Sequence, residues 1–211
     1  MKKSLMVLLV LAMVLVMGAS AFAEEPPTNW GRMMRDAAVL GDHEAGEAAA
    51  EGWNLALLEG EREGEPMDFE ELFLLARVIE TEAGSDWLPD ELLMCVGEVV
   101  LNRMASPEFP DTMEEVVYQE GQYEDVCTME FEELLPGRRA VQIAMRLLQG
   151  ERMLQPNVVF QSNRKLGTVH ATYCDKRLGF TYFCESSHPE LYEDADSDLQ
   201  SEEIVIEYPG E

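Results

Sequence analysis

The sequence DFEELFLLARVIETEAG, residues 68–84, predicts the helix on which a folded domain can be built. Asp68 and Glu71, three residues later, form the pattern of a capping box, and Gly84 ends the helix. The apolar positions between them recur at helical spacing and share one face: Leu72, Leu75, Ala76, Ile79 and Ala83. This stretch therefore predicts an amphipathic helix that packs one face against a hydrophobic core.

Glu82 falls inside this apolar face. With Leu75 set at zero and about 100° per residue, Ile79 lies at about +40° and Glu82 at about −20°. A carboxylate among apolar neighbours is costly unless it is paired or lines a cavity. Burial also raises a carboxyl pKa, which lets an enzyme keep an acid protonated near neutral pH. Glu82 is thus either a catalytic acid or a helix-end glutamate paired with Arg77 or Arg103.

The rest of the chain predicts an α+β fold, mainly helical, with a small C-terminal antiparallel sheet. Further helices are expected from Asp90 to Met104, from Thr112 to Gly121, and between Gly137 and Gly150. Stretches rich in Val, Thr, Phe and Tyr at 157–162, 168–174 and 180–184 predict short strands. Gly97, inside the second helix, predicts the close approach of another backbone.

Four segments are expected along the chain. Lys2 and Lys3, the apolar run 5–17 and Ala21-Phe22-Ala23 predict a secretory signal peptide at 1–23, and thus export to the cell envelope or the medium. An uncleaved anchor is the rival, although the run is short for a bilayer. Residues 24–66 predict an Ala-rich helical spacer and acidic linker, 67–190 the main domain, and 191–211 a poorly ordered acidic tail.

The net charge of the chain limits the partners that it can bind. The chain has 42 acidic and 15 basic residues, a net charge of −27, and this charge disfavours the binding of nucleic acid and, after signal cleavage, of anionic membranes.

Four cysteines in an exported chain permit disulfides, and Cys174 with Cys184 is the expected pair. Free thiols, or a zinc site with His170 and His188, are the rivals. We expect no metal and no cofactor.

Four motifs carry a family resemblance. They are LLARVIETEAG at 74–84, VGEVVLNR at 96–103, SPEFPDT at 106–112 and VYQEGQY at 117–123. Their order and spacing resemble the spore cortex-lytic and cell wall hydrolase family of the SleB–CwlJ type, over about residues 69–184. The resemblance implies a lysozyme-like fold and cleavage of peptidoglycan between N-acetylmuramic acid and N-acetylglucosamine. Glu82 aligns with the essential acid of that family, the residue that the helical pattern also selects.

Asn102, Arg103, Gln122 and Tyr123 are the candidates for positioning sugar, since amides bind acetamido and hydroxyl groups and an aromatic face stacks on a pyranose. A lytic transglycosylase needs one Glu, because the 6-hydroxyl of muramic acid is the nucleophile. A true hydrolase would need a second carboxylate, Asp86 or Glu98, and Glu98 is expected to be a solvated charge on the flank of its helix.

The chain departs from the family pattern at two places. Gly84-Ser85-Asp86-Trp87 stands where many members have Arg-Gly-Glu, and 179–183 lacks the usual His. Two other functions therefore stay open. One is a non-catalytic peptidoglycan-binding or regulatory protein with the same fold, and the other is an amidase, against which the lack of a zinc set argues.

Overall fold

The computed structural model describes residues 29–123, 128–192 and 203–206. The predicted signal peptide and Cys127 lie outside these ranges. Within them, no helix has both the length and the apolar character that crossing a membrane requires.

Seven α-helices and a four-stranded sheet form the described part of the chain. The helices are α1 (Trp30–Leu40), α2 (His43–Leu58), α3 (Phe69–Ala83), α4 (Asp90–Ala105), α5 (Met113–Val117), α6 (Met129–Glu133) and α7 (Arg138–Leu148). The strands are β1 (Val158–Ser162), β2 (Val169–Asp175), β3 (Gly179–Glu185) and β4 (Ile204–Ile206), and a 3-10 turn spans Pro189–Leu191. The α+β, mainly helical class is confirmed.

Helix α3 begins where the capping signal predicted, because the Asp68 side chain accepts a hydrogen bond from the Glu71 N–H at 3.0 Å. Its apolar face packs against α4 and α7. A Cβ on Gly97 would lie 2.5 Å from Leu147 Cδ1 and 2.8 Å from Ile79 Cδ1. Glycine is therefore needed in α4, although side chains rather than the expected backbone approach it.

The sheet has the strand order β1-β3-β2-β4. β1, β3 and β2 pair antiparallel, as predicted, whereas β4 pairs parallel to β2. The sheet is thus mixed rather than antiparallel. The extra strand comes from the expected acidic tail, where Ile206 is buried against the core.

The expected N-terminal spacer packs into the same core as the main domain. Met34, Ala38 and Trp53 are buried within a cluster that includes residues of α3, α4 and α7. The following linker is also fixed, because Trp53 Nε1 donates to the Glu65 carbonyl at 2.9 Å and Asn54 exchanges two hydrogen bonds with the Met67 backbone. The acidic composition of the linker gave no sign of these contacts, because they are made to the backbone groups of Glu65 and Met67.

Candidate active site

Glu82 lies in the last turn of α3, and its side chain is half-buried. Gln161, in β1, donates from Nε2 to Glu82 Oε2 at 3.3 Å. Gln161 pairs with Phe183 in the β1–β3 ladder, and Phe183 is buried. Paired residues point to the same face of a sheet, so Gln161 faces the helices. The helical domain and the sheet thus meet at this carboxylate.

Tyr123 lies near Glu82, and Arg103 packs against Tyr123. Tyr123 is buried, and the Arg103 guanidinium lies 5.2 Å from the centre of its ring. Burial raises the pKa of Tyr123, the charge of Arg103 opposes that shift, and the charge of Glu82 adds to it. Tyr123 is therefore close enough to Glu82 to respond to its charge. Gln122 is exposed in the preceding turn, and its predicted sugar contact stays a prediction.

Asn102 and Arg103 hold backbone groups near β1, and their predicted contact with sugar stays a prediction. Asn102 is buried, and its Nδ2 donates to the carbonyls of Gln155 at 2.9 Å and Val158 at 3.0 Å. Arg103 is also buried and donates from Nε to the Val159 carbonyl at 2.7 Å. Both side chains use these donors to hold the start of β1, the strand that carries Gln161.

Glu98 differs most from its expected environment. It is fully buried rather than solvated, and its Oε2 accepts a hydrogen bond from the Met153 N–H at 2.8 Å. Burial raises the pKa of Glu98 to about 7, against the hydrogen bonds of Met153 and Leu154 and the charge of Arg152, which lower it. A carboxyl group closed off from water in this way cannot activate a water molecule at a bound sugar.

Asp86, the other candidate for a second carboxylate, is exposed in the loop that follows α3. Burial raises the pKa of the Cys95 thiol well above its usual range, and Cys95 is a core residue in the structure. Neither residue shows an environment that would activate it for chemistry.

The predicted bridge between Cys174 and Cys184 is wrong in this structure. Both are free, Cys174 exposed and Cys184 buried. On the hairpin, Cys174 lies opposite Phe180, four residues before Cys184, which is about 13 Å along a strand. A disulfide requires Cα atoms within about 7 Å. In the described ranges, no group of three or more His, Cys, Asp and Glu residues is placed to hold a metal ion, so the rival zinc site is not formed there.

Sequence reasoning missed Gln161. It is 79 residues from Glu82 along the chain, and its contact depends on the register of β1 with β3. Phe160 was missed as well, and its ring meets that of Phe109 edge-to-face at 6.2 Å, beside Arg103. No local pattern identifies such residues, because glutamine and phenylalanine occur in strands and loops for many reasons.

These features define an α+β protein with a half-open carboxylate where a helical core meets a small sheet. The model of the cell wall hydrolase family matches residues 89–192, and over these residues the chain belongs to that family. The family is that of the cell wall hydrolases, and it implies peptidoglycan as the substrate. The matched range includes Tyr123 and Gln161 and begins after Glu82. Neither the comparison with curated proteins nor that with solved structures found a match.

Proposed function

We propose that the protein cleaves the glycan strands of peptidoglycan between N-acetylmuramic acid and N-acetylglucosamine, with Glu82 as the single acid and base. The observation that carries this proposal is the setting of Glu82, half-buried at the end of α3 with a side-chain amide from β1 on its carboxylate. Glu98 is shut inside the core, so of the two candidates for a second carboxylate only Asp86 is open to solvent.

The reaction needs one proton delivered to the bridging oxygen and one proton removed from the 6-hydroxyl of muramic acid. Glu82, protonated, gives its proton to the bridging oxygen as the bond from that oxygen to C1 of the muramic acid breaks. Positive charge develops at C1 and on the ring oxygen. The 6-hydroxyl oxygen of the same sugar then bonds to C1, and its proton passes to Glu82. The acid is restored, and the product is a 1,6-anhydro end with no water consumed.

Gln161 keeps the Glu82 carboxyl group in one orientation through this cycle. A hydrogen bond donated to a carboxylate favours its ionised form, which is the form that must accept the second proton. Asn102 and Arg103 act indirectly, because they bind the carbonyls of Val158 and Val159 at the start of β1, the strand that carries Gln161. Arg103 also packs against Tyr123, whose pKa responds to the charge of Glu82.

Glu82→Gln tests the assignment of the acid. The amide keeps the shape and removes the acidic proton, so clearance of purified peptidoglycan should slow by about 10²–10⁴-fold. The matched control is Glu80→Gln, the same change on a half-buried residue of the same helix, whose new side-chain oxygen can still accept from the Gly137 N–H. It should keep nearly normal turnover.

Near-normal lysis by Glu82→Gln would contradict the proposal. If Asp86→Asn were equally inactive and the products had reducing ends, the enzyme would be a two-carboxylate hydrolase. Binding of peptidoglycan without any release of product by the unmutated protein would favour the non-catalytic alternative.

The proposed substrate lies outside the cytoplasm, which agrees with the export signal expected at 1–23. We propose cleavage after Ala23, and N-terminal sequencing of secreted protein should begin at Glu24. A full-length protein held in the membrane would contradict it.

A further inference from the structure

The first three strands and their connections carry a net positive charge, in contrast to the net negative charge of the whole chain. Residues 156–185, which include β1 to β3, contain Arg164, Lys165, Lys176 and Arg177 and two acidic residues, Asp175 and Glu185, in a protein with a net charge of −27. Glu203 adds a carboxylate beside the sheet, where it accepts a hydrogen bond from the Thr172 hydroxyl at 2.8 Å. Asp175 accepts hydrogen bonds from the Tyr173 hydroxyl at 2.6 Å and the Leu178 N–H at 2.9 Å. Its charge is therefore engaged within the hairpin, and the four basic residues give this region a net positive charge.

An aromatic pair lies on the outward side of this sheet. Side chains alternate along β3, and Phe183 is fully buried toward the helices, so Phe180 and Tyr182 point away from them. Their rings are parallel within 2°, with centroids 5.5 Å apart, and Phe180 is 51% exposed. Lys165 Nζ lies 5.4 Å from the centre of the Tyr182 ring.

We propose that Phe180, Tyr182 and Lys165 form an outer wall-binding face that holds peptidoglycan at a place distinct from the cleavage site. Flat, exposed rings offer apolar area that pyranose rings can cover, and an ammonium group beside them offers a partner for the free carboxylates of stem peptides. The face opposes the side of β1–β3 from which Gln161 reaches Glu82.

The charge pattern selects this occupant. The overall negative charge of the chain repels an anionic polymer. A local basic and aromatic surface gives the enzyme a way to stay on an insoluble substrate between cleavage events. The identity of the polymer rests on the proposed function, whereas the existence of the face rests on the sheet alone.

The test is co-sedimentation with purified peptidoglycan from which phosphate-containing polymers have been stripped, in the Glu82→Gln background and in the cold. The double variant Phe180→Ala/Tyr182→Ala and the single variant Lys165→Glu should each weaken binding about tenfold. The loss caused by Lys165→Glu should shrink as salt is raised.

Two control variants match these changes at other exposed positions. Leu58→Ala truncates an apolar side chain that is 86% exposed, and Arg32→Glu makes the same charge reversal on α1, where the side chain is 69% exposed. Both should bind as the parent does. With Glu82 present, the double variant should keep normal turnover of short soluble glycan fragments and lose rate on insoluble wall.

Unchanged binding by both test variants would overturn the inference, as would equal losses in Lys165→Glu and Arg32→Glu. Binding that requires the phosphate-containing polymers would overturn the choice of peptidoglycan. If the double variant failed to fold, Lys165→Glu would decide alone. These outcomes concern binding alone and are separate from the cleavage proposal, which is tested by the products that the unmutated protein and Glu82→Gln release.

Discussion

Glu82 and Glu98 occupy neighbouring helices of one core, yet their surroundings differ in every respect that matters for chemistry. Glu98 is fully buried, and its carboxylate is held by the backbone of the segment that leads into β1. Glu82 is half-buried, at a helix end, and its carboxylate accepts a hydrogen bond from a side-chain amide. The helical pattern predicts a different arrangement, with Glu82 within the apolar face and Glu98 solvated.

The difference separates two uses of a carboxyl group in a core. A fully buried acid with backbone N–H donors stabilises a particular chain path and has no access to substrate. An acid at the rim, with a side-chain amide on its carboxylate, can exchange a proton with a ligand. Access to solvent therefore distinguishes Glu82, the residue proposed for catalysis, from Glu98, which stabilises the fold.

The largest expected difference between the two is in stability. Glu98→Ala, measured at pH 6, should lower the free energy of unfolding by about 3 kcal/mol, because it leaves a cavity and an unpaired Met153 N–H. Glu82→Ala should lower it by less than about 1 kcal/mol. Urea denaturation of both variants measures the values, and equal losses would remove the distinction.

The pH dependence of stability isolates the charge on Glu98. Its pKa is raised from 4.5 to about 7 in the folded protein, so between these pH values the unfolded chain is ionised while the folded protein keeps the proton. Stability should thus fall as pH rises through this window, by roughly 3 kcal/mol in all, and then level off. Glu98→Gln should lose this slope, and an unchanged slope in that variant would refute the assignment.

A smaller effect is expected at the amide that contacts Glu82. Gln161→Leu removes the donor at similar volume and should lower the turnover rate about tenfold, since a hydrogen bond to a charged group contributes about 1.5–3 kcal/mol. Gln142→Leu, on the exposed side of α7, is the matched control and should leave the rate unchanged. Full activity of Gln161→Leu would mean that Glu82 is oriented by other groups.

The smallest effect concerns the sheet thiols. Cys174 should react readily with an alkylating reagent in the native protein, and Cys184 should react only after unfolding, because the first is exposed and the second buried. Mass spectrometry of alkylated peptides makes the comparison. A linked Cys174–Cys184 peptide under non-reducing conditions would restore the pairing that the structure rejects.

Local signals in the sequence predicted most helices and three strands. Side-chain caps at Asp68 and Thr112 start α3 and α5 as expected, and the Val-, Thr- and aromatic-rich stretches form β1 to β3. β4 could not be predicted, because three apolar residues in an acidic tail become a strand only by pairing with β2. The burial of Glu98 was likewise hidden, since its donor is 55 residues away.

The products released from purified peptidoglycan test the central claim most directly. Mass analysis of the muropeptides should find 1,6-anhydro-muramic ends after treatment with the unmutated protein, and almost none after the same treatment with Glu82→Gln. Free stem peptides would indicate an amidase, and reducing muramic ends would indicate hydrolysis by water. Either result, or anhydro ends released equally by Glu82→Gln, would contradict cleavage by a single carboxylate at Glu82.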